Sequence, residues 1–242
     1  MPFISLLYSF ILAIGLAESQ SLSVQEQYDL GQKYLKRNYY TKALEQFNVI
    51  RNYYRDDPLA QLAELAIADV YFQKAEWDLA RYSYDDFRRR YPRHEKVDYA
   101  TFQVGLTLYK KAPKVAGRDQ TWTIQAVQSW NQFETVFPNS EYIDDVQEKR
   151  SECLDRLAKK ELRIAEFYHR RKAWEAVRRR SEGLIQQYPE SGYVAEAYAL
   201  LAVAYFHLED VGAFSLALQR LRDLDERKAE ALQKKYAGEV IP

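Results

Sequence analysis

The chain has 242 residues, of which 47% are hydrophobic, so it carries enough apolar side chains to build a core. Its 35 basic and 35 acidic side chains cancel, which argues against a strong electrostatic field directed at nucleic acid or at an anionic membrane. Only 8 glycines and 7 prolines interrupt a composition rich in helix formers, so we expect an all-α protein with almost no sheet.

The first predicted element is an apolar run over residues 3–17. It is shorter than the ~20 residues that cross a bilayer but suits the core of a signal peptide. Gly15 and Ala17 fit the small-residue positions of a cleavage site, so we predict a signal peptide over 1–17 and a single domain over 18–242. The first basic residue is Lys33, so the usual positive n-region is missing, and an uncleaved or buried N-terminal helix is the alternative.

Four prolines, Pro58, Pro92, Pro138 and Pro189, each follow an apolar helical stretch and precede another. The first two are 34 residues apart, which is the tetratricopeptide period, and the later intervals of 46 and 51 residues fit that period with insertions. The pattern predicts a superhelical array of about five tetratricopeptide-like helix pairs.

Small residues mark the points where the two helices of a pair are predicted to cross. They pair as Gly31 with Ala43, Ala68 with Ala80, and Gly105 with Ala126. The first two pairs are 12 residues apart and the third 21, so about nine extra residues enlarge the turn near residues 111–120 into a loop.

The C-terminal part is predicted to hold two further pairs. An extra helical stretch over 143–157 precedes the fourth, and the fifth ends in a degenerate helix over 212–224, as is typical of a terminal capping repeat. Stacked pairs of this kind form a concave groove that receives extended peptides or partner helices. The lone cysteine, Cys153, lies in the extra helical stretch and is predicted to be a buried apolar thiol.

The motifs of catalysis are missing. The three histidines, His94, His169 and His207, are far apart, and no P-loop, dinucleotide-binding glycine cluster or nucleophile elbow is present. We therefore expect no enzyme, no metal site and no cofactor, with each histidine a capping or surface residue. Tyrosines and carboxylates in the groove are the enzymatic alternative, but their spacing does not favour it.

Two charge runs stand on second helices, Arg88–Arg90 and Arg178–Arg180. Successive helical residues point about 100° apart, so neither run forms one patch. The first run is interpreted as a solvated face. Four aromatic residues fall on the groove side of first helices and suit a core or an interface equally well: Tyr28, Phe72, Phe102 and Tyr109.

Several segments together resemble the BamD family of outer-membrane β-barrel assembly lipoproteins. They are residues 117–120 (GRDQ), 137–142 (FPNSEY), 155–168 (DRLAKKELRIAEFY), 171–174 (RKAW) and 182–184 (EGL), the last leading to Tyr188-Pro189. The resemblance spans about residues 25–205 and is most specific in the third and fourth pairs.

The resemblance implies a non-enzymatic protein on the periplasmic face of the outer membrane of a Gram-negative bacterium, peripheral to that membrane. Repeats over about 25–138 would receive unfolded outer-membrane β-barrel proteins, and repeats over about 139–230 would dock on the POTRA domains of BamA. Other assembly lipoproteins are further candidate partners, and nucleic acid is not expected.

The family's basic docking residue aligns with Arg180, and Phe167 and Tyr168 lie near it in the sequence. For the substrate groove the candidates are Tyr28, Gln32, Asp69, Phe72 and Tyr109.

One feature departs from the family. No cysteine follows the apolar run, so the acylated cysteine of a lipoprotein is missing. Three arrangements fit this: a protein held through BamA alone, an uncleaved apolar anchor, or a different native start. The alternative function is that of a periplasmic scaffold of the Tol and cell-division type, but no sustained coiled-coil heptads precede Gln25.

Overall fold

The computed structural model describes residues 22–236, so the predicted signal peptide over 1–17 lies outside the described residues. The described part of the chain forms α-helices and no β-strand, which confirms the all-α prediction. The helices are α1 (Val24–Lys36), α2 (Tyr40–Tyr53), α3 (Pro58–Gln73), α4 (Trp77–Arg90), α5 (Val97–Lys111), α6 (Thr121–Val136), α7 (Ile143–Arg170), α8 (Trp174–Gln187), α9 (Val194–His207), α10 (Val211–Leu224) and α11 (Glu226–Tyr236).

The described chain divides into two compact units, with the boundary between Lys74 and Ala75. In the first unit, α1 to α3 pack around a buried cluster that includes Leu35, Phe47 and Val70. The second unit contains α4 to α11, and each helix from α5 onwards packs on the helix before it. The prediction of one domain over 18–242 stays a prediction.

Two helix pairs cross where a glycine faces a large ring, as the small-residue pattern predicts. A Cβ atom placed on Gly31 would lie 2.6 Å from Cε1 of Phe47. One placed on Gly105 would lie 2.2 Å from Nε1 of Trp130. Both rings are fully buried, so these glycines let a first helix approach its second helix more closely than alanine allows.

Three of the tight turns between paired helices share one backbone geometry. Asn38, Lys172 and Glu209 have φ angles of 61°, 57° and 60°, in the left-handed region. The amide of the residue after each donates to a carbonyl five residues back, as Tyr39 does to Tyr34 at 2.9 Å and Ala173 to Tyr168 at 3.1 Å. This is the Schellman type of helix end, formed here without glycine.

The long helix α7 differs from its predicted form. The extra helical stretch over 143–157 and the first helix of the fourth pair are one continuous helix of 28 residues. No proline or glycine stands between Ile143 and Arg170, so no residue there ends the helix. Cys153 lies fully buried in α7, as predicted, and burial raises the pKa of its thiol to about 11.

The last two helices close the second unit. The predicted degenerate helix is α10, and α11 follows it although the sequence pattern predicts no helix there. The ring of Tyr236 in α11 lies 4.4 Å from that of Phe206 in α9, and Ala229 is fully buried. Within residues 22–236, no helix combines the length and the apolar composition that a membrane span requires.

The glycine crossing generates a first prediction. Gly105→Ala is expected to lower the free energy of unfolding by about 1–3 kcal/mol, because the fully buried Trp130 must move to admit the methyl group. The matched control is Gly183→Ala in α8, where no atom lies within 4 Å of the added Cβ. This control is expected to stabilise the helix by up to about 1 kcal/mol. Urea unfolding of both variants is the measurement. Equal changes in the free energy of unfolding would contradict a close approach of α5 and α6 at Gly105.

Candidate functional site

An open cleft of about 420 Å³ lies between α7 and α8 in the second unit, and it is called the α7–α8 cleft below. Its lining is Glu161, Tyr168, Ala176, Arg179, Arg180, Gly183 and Gln187. Glu161 and Tyr168 are two turns apart on one face of α7. The α8 residues 176, 180, 183 and 187 follow the spacing of a single helix face, so the cleft is built by two helix faces.

Gly183 keeps the floor of this cleft open. It lies inside α8, where glycine costs about 1 kcal/mol relative to alanine. No atom lies within 4 Å of the position that its Cβ would take. Unlike Gly31 and Gly105, Gly183 is therefore not required by helix packing, and its effect is to leave room beside Arg180.

Arg180 reaches across the cleft to α7. Its Nη1 donates to Oε2 of Glu161 at 3.1 Å, and 47% of its side chain remains exposed. An ion pair this exposed contributes only about 0–1 kcal/mol to stability. Arg180 can therefore exchange the Glu161 carboxylate for that of a partner at little cost to the fold.

The neighbouring arginines behave differently, because each points in its own direction. Arg178 donates two hydrogen bonds to Glu175 and two to Glu182, at 2.5–3.0 Å. These bonds raise the pKa of Arg178 and hold it on its own helix. Arg179 is 73% exposed, with Glu175 3.7 Å from its Nε. Only Arg180 of the run reaches a carboxylate on another helix.

The other basic run matches its interpretation as a solvated face. Arg88 pairs with Asp85 at 2.9 Å, and Arg89 with Asp86 at 3.3 Å, both on the same helix as the arginines. These pairs follow the i,i+3 spacing of an exposed helix surface.

The two aromatic candidates beside Arg180 separate in the structure. Tyr168 lines the α7–α8 cleft. Phe167 is 41% exposed and lies outside the lining, with the Arg171 guanidinium 3.6 Å from its ring centroid. The rings of Phe167 and Tyr168 meet edge to face at 5.4 Å, so Phe167 forms a shoulder next to the cleft.

Four of the five groove candidates lie in the first unit. Gln32 Nε2 donates to the Tyr28 hydroxyl at 3.0 Å, and the Tyr28 ring lies 5.7 Å from Phe47. Burial raises the pKa of Tyr28, and the Asp69 carboxylate on α3 adds to that rise. The structure therefore places Tyr28, Gln32 and Asp69 together. Phe72 is half-buried and lies three residues after Asp69, one turn further along α3.

Tyr109, the fifth candidate, belongs to the second unit. Its ring lies 5.9 Å from Trp130, and its hydroxyl donates to Glu152 on α7. Burial and this hydrogen bond raise the pKa of Tyr109. Phe102, the remaining groove-side aromatic, is buried and stacked on Tyr142 at 5.1 Å, which agrees with the core interpretation.

His207 is exposed and His94 and His169 are partly buried, which agrees with their interpretation as surface residues. His207 stacks on Trp174 with ring centroids 4.0 Å apart, and His169 meets the same indole edge-on at 5.6 Å. Nδ1 of His94 accepts the Lys96 amide at 3.0 Å in the turn before α5. Over residues 22–236, no group of three or more His, Cys, Asp or Glu residues is placed to hold a metal ion.

The sequence prediction missed Glu161, Gly183 and Gln187. The signal was present, since positions 183 and 187 lie three and seven residues after Arg180 on the same helix face. Glu161 required knowledge of which α7 face meets α8, which sequence spacing alone does not supply.

Comparison with known proteins identifies similar chains. The family described as "YfiO: Outer membrane lipoprotein" matches residues 20–213. The outer membrane protein assembly factor BamD of Neisseria meningitidis serogroup B is 27% identical over 233 residues, covering 93% of this chain and 87% of that protein. BamD of Haemophilus influenzae is 26% identical over 223 residues, covering 88% and 84%. Among solved structures, the TPR2AB domain of yeast Sti1 aligns with a TM-score of 0.46 and 14% identity, covering 89% of this chain and 86% of that one.

The arginine run generates a second prediction. Arg180→Gln is expected to change the free energy of unfolding by less than about 1 kcal/mol, because its ion pair is half exposed. Arg178→Gln removes the same charge but breaks the hydrogen bonds to Glu175 and Glu182, so it is expected to destabilise the fold more. Thermal and urea unfolding of the two variants decide this, and a larger loss for Arg180→Gln would contradict an exchangeable Arg180.

Proposed function

This chain belongs to the YfiO family of outer membrane lipoproteins, and we propose that it is a non-enzymatic assembly factor for outer membrane proteins. Relatives that carry the name of outer membrane protein assembly factor BamD align over most of its length. The matched residues 20–213 include helices of both compact units. The proposed location is the periplasmic face of the outer membrane.

The observation that carries the proposal is the exchangeable Arg180 in the α7–α8 cleft. Glu161 orients the guanidinium, and Gly183 leaves space for an incoming side chain. An acidic residue of a partner that entered this space would replace Glu161 and become shielded from water by the cleft walls. A charge pair that is desolvated in this way supplies specificity and resists dissociation.

The proposed partner at this cleft is the POTRA region of BamA. Tyr168 would offer an aromatic ring and a hydroxyl group inside the cleft, and Phe167 an apolar ring beside it. Both residue types are enriched at protein interfaces. The exposed Arg179 lies at the rim and would act on the association rate more than on the lifetime of the complex.

The proposed substrate surface is the cluster of Tyr28, Gln32, Asp69 and Phe72 in the first unit. Gln32 and Asp69 offer amide and carboxylate groups to the backbone of an extended segment, while Tyr28 and Phe72 offer partly buried rings to its apolar side chains. An unfolded β-barrel protein presents both kinds of group. Tyr109 would make a corresponding contact in the second unit.

A third prediction tests the docking cleft. Arg180→Glu is expected to weaken binding to purified BamA POTRA domains by about 2–5 kcal/mol, because it removes one partner of a charge pair and faces Glu161 with a like charge. Arg93→Glu in the turn between α4 and α5 is the matched control, since it makes the same charge change at an exposed position outside residues 139–230.

Gly183→Ala supplies the second variant in that assay. It adds a methyl group beside Arg180 without lowering stability, so it is expected to weaken POTRA binding while its unfolding free energy stays equal or rises. Calorimetric titration measures both variants. Unchanged affinity of Arg180→Glu would remove the cleft from the proposal. Recovery of Tol or cell-division proteins instead of BamA in a pull-down would overturn the proposed function.

A fourth prediction tests the substrate surface. A photo-crosslinking residue at Gln32 is expected to capture an unfolded β-barrel protein more strongly than one at Lys33. The two positions are about 100° apart on α1, and only Gln32 faces Tyr28. Equal capture at both positions would show that binding does not depend on this face.

A further inference from the structure

The nine-residue insertion between α5 and α6 is a rigid loop. The buried side chain of Gln120 donates to the carbonyl oxygens of Val115 at 3.0 Å and Arg118 at 3.3 Å. The Thr123 hydroxyl in turn donates to Oε1 of Gln120 at 2.6 Å. Ala116 is also buried, so the loop backbone is fixed against the second unit before any ligand arrives.

Basic side chains of α7 face this loop. Arg156, Lys159 and Arg163 follow the i, i+3, i+7 spacing of one helix face. Together with Lys114 of the loop they line an open cleft of about 320 Å³, called the basic cleft below, and Tyr193 forms another part of its wall. Four cations from two separate chain segments therefore line one cleft.

Two carboxylates also line the basic cleft, but both are engaged by other groups. Glu152 accepts hydrogen bonds from the Tyr109 hydroxyl and from Lys149 Nζ, the latter at 2.7 Å. Burial acts to raise the pKa of Glu152, but these two bonds outweigh it and the pKa lies below its ordinary value. Asp155 accepts the Gly192 amide at 2.9 Å and so ties α7 to the turn before α9.

The cations of the basic cleft lack such engagement. Across residues 22–236, no carboxylate lies within 4.0 Å of the side-chain nitrogens of Lys114, Lys159 or Arg163. Arg156 donates to the Pro113 carbonyl at 3.3 Å, and its charge helps to lower the pKa of Glu152 although the two groups form no ion pair. In a chain of zero formal net charge, these four cations beside two carboxylates leave a local excess of positive charge that favours an anion.

We propose that the basic cleft is a binding site for a phosphate group. The planar forks of Arg156 and Arg163 match the geometry of phosphate oxygens, and Lys114 and Lys159 add point charges. An extended acidic peptide would suit a longer row of cations, whereas here three cations of α7 and one of the loop line a single cleft of about 320 Å³. A single group with several negative oxygens fits that arrangement better.

The phosphate group has two candidate sources, the headgroup of an anionic phospholipid and a soluble phosphate ester. The basic cleft shares no lining residue with the α7–α8 cleft, so this site does not depend on the proposed docking to BamA. A lipid source would give the protein a membrane contact through its folded part.

The test uses the full chain with two probes, inorganic phosphate followed by calorimetry, and phosphatidylcholine vesicles with or without phosphatidylglycerol followed by flotation. Arg163→Gln removes an exposed charge that has no ion pair in the described chain, so the fold is expected to stay intact. It is expected to weaken phosphate binding about tenfold, the loss of one charge-assisted hydrogen bond. Arg220→Gln on α10, outside the cleft, is the matched control.

Phosphate binding that is lost in Arg163→Gln and kept in Arg220→Gln supports the site. Flotation with the phosphatidylglycerol vesicles that follows the same pattern assigns it to lipid, and phosphate binding without flotation assigns it to a soluble ester. Failure to bind either probe, equal weakening by both substitutions, or binding of a poly-glutamate peptide in place of phosphate would overturn the proposal.

Discussion

The close approach of two helices at a glycine is the constraint on which the helix pairs depend. In the first unit, Gly31 of α1 admits the ring of Phe47, and in the second, Gly105 of α5 admits Trp130. Each contact fixes the rotation of the first helix. It also fixes the next layer, because Tyr28 packs on the same Phe47 ring and Tyr109 on the same Trp130 ring. The proposed contact tyrosines are thus oriented by the core residues that join each pair.

The long helix α7 carries two different electrostatic surfaces. Glu161 points into the α7–α8 cleft, while Lys159 and Arg163, two residues before and after it, lie about 200° away around the helix and line the basic cleft. One cleft holds an arginine with an internal carboxylate partner, which suits exchange with a protein carboxylate. The other holds cations that form no ion pair within the described chain, which suits an anion from solution or a membrane. Continuity of the helix through its 28 residues keeps the two surfaces at a fixed angle.

The sequence was sufficient to predict the helix pairs, because their residue pattern recurs along the chain. The proline period and the small residues at crossings located the helix pairs, and the GRDQ segment fell in the loop where the structure places it. The left-handed turns were not predictable, because Asn38, Lys172 and Glu209 share no residue type, and their φ angles follow from hydrogen bonds within the turn. Helix α11 was missed because it follows the last repeat and has no counterpart in the earlier units.

The candidate sites, like the fold, could be predicted from the sequence only in part. Resemblance to a family located Arg180, but its partner Glu161 lies 19 residues earlier in the sequence and on another helix. The basic cleft could not be predicted from the sequence for a related reason. Lys114 lies in a loop and Arg156 lies 42 positions later in a helix, where charges of both signs surround it in the sequence. Only the fold shows that the carboxylates of this cleft are hydrogen-bonded to other groups, whereas its cations form no ion pair in the described chain.

The orientation of Arg180 depends on a polar network that resists changes in pH. Glu182 of α8 accepts hydrogen bonds from Arg178 and from the Tyr205 hydroxyl of α9, the latter at 2.6 Å, which links the two helices. Burial and the bond to Glu182 raise the pKa of Tyr205 to about 12, so the phenol keeps its proton. The pKa of Arg178 is raised as well, so it keeps its charge. Because neither donor titrates near neutral pH, α8 keeps its rotation and continues to present Arg180 to the cleft.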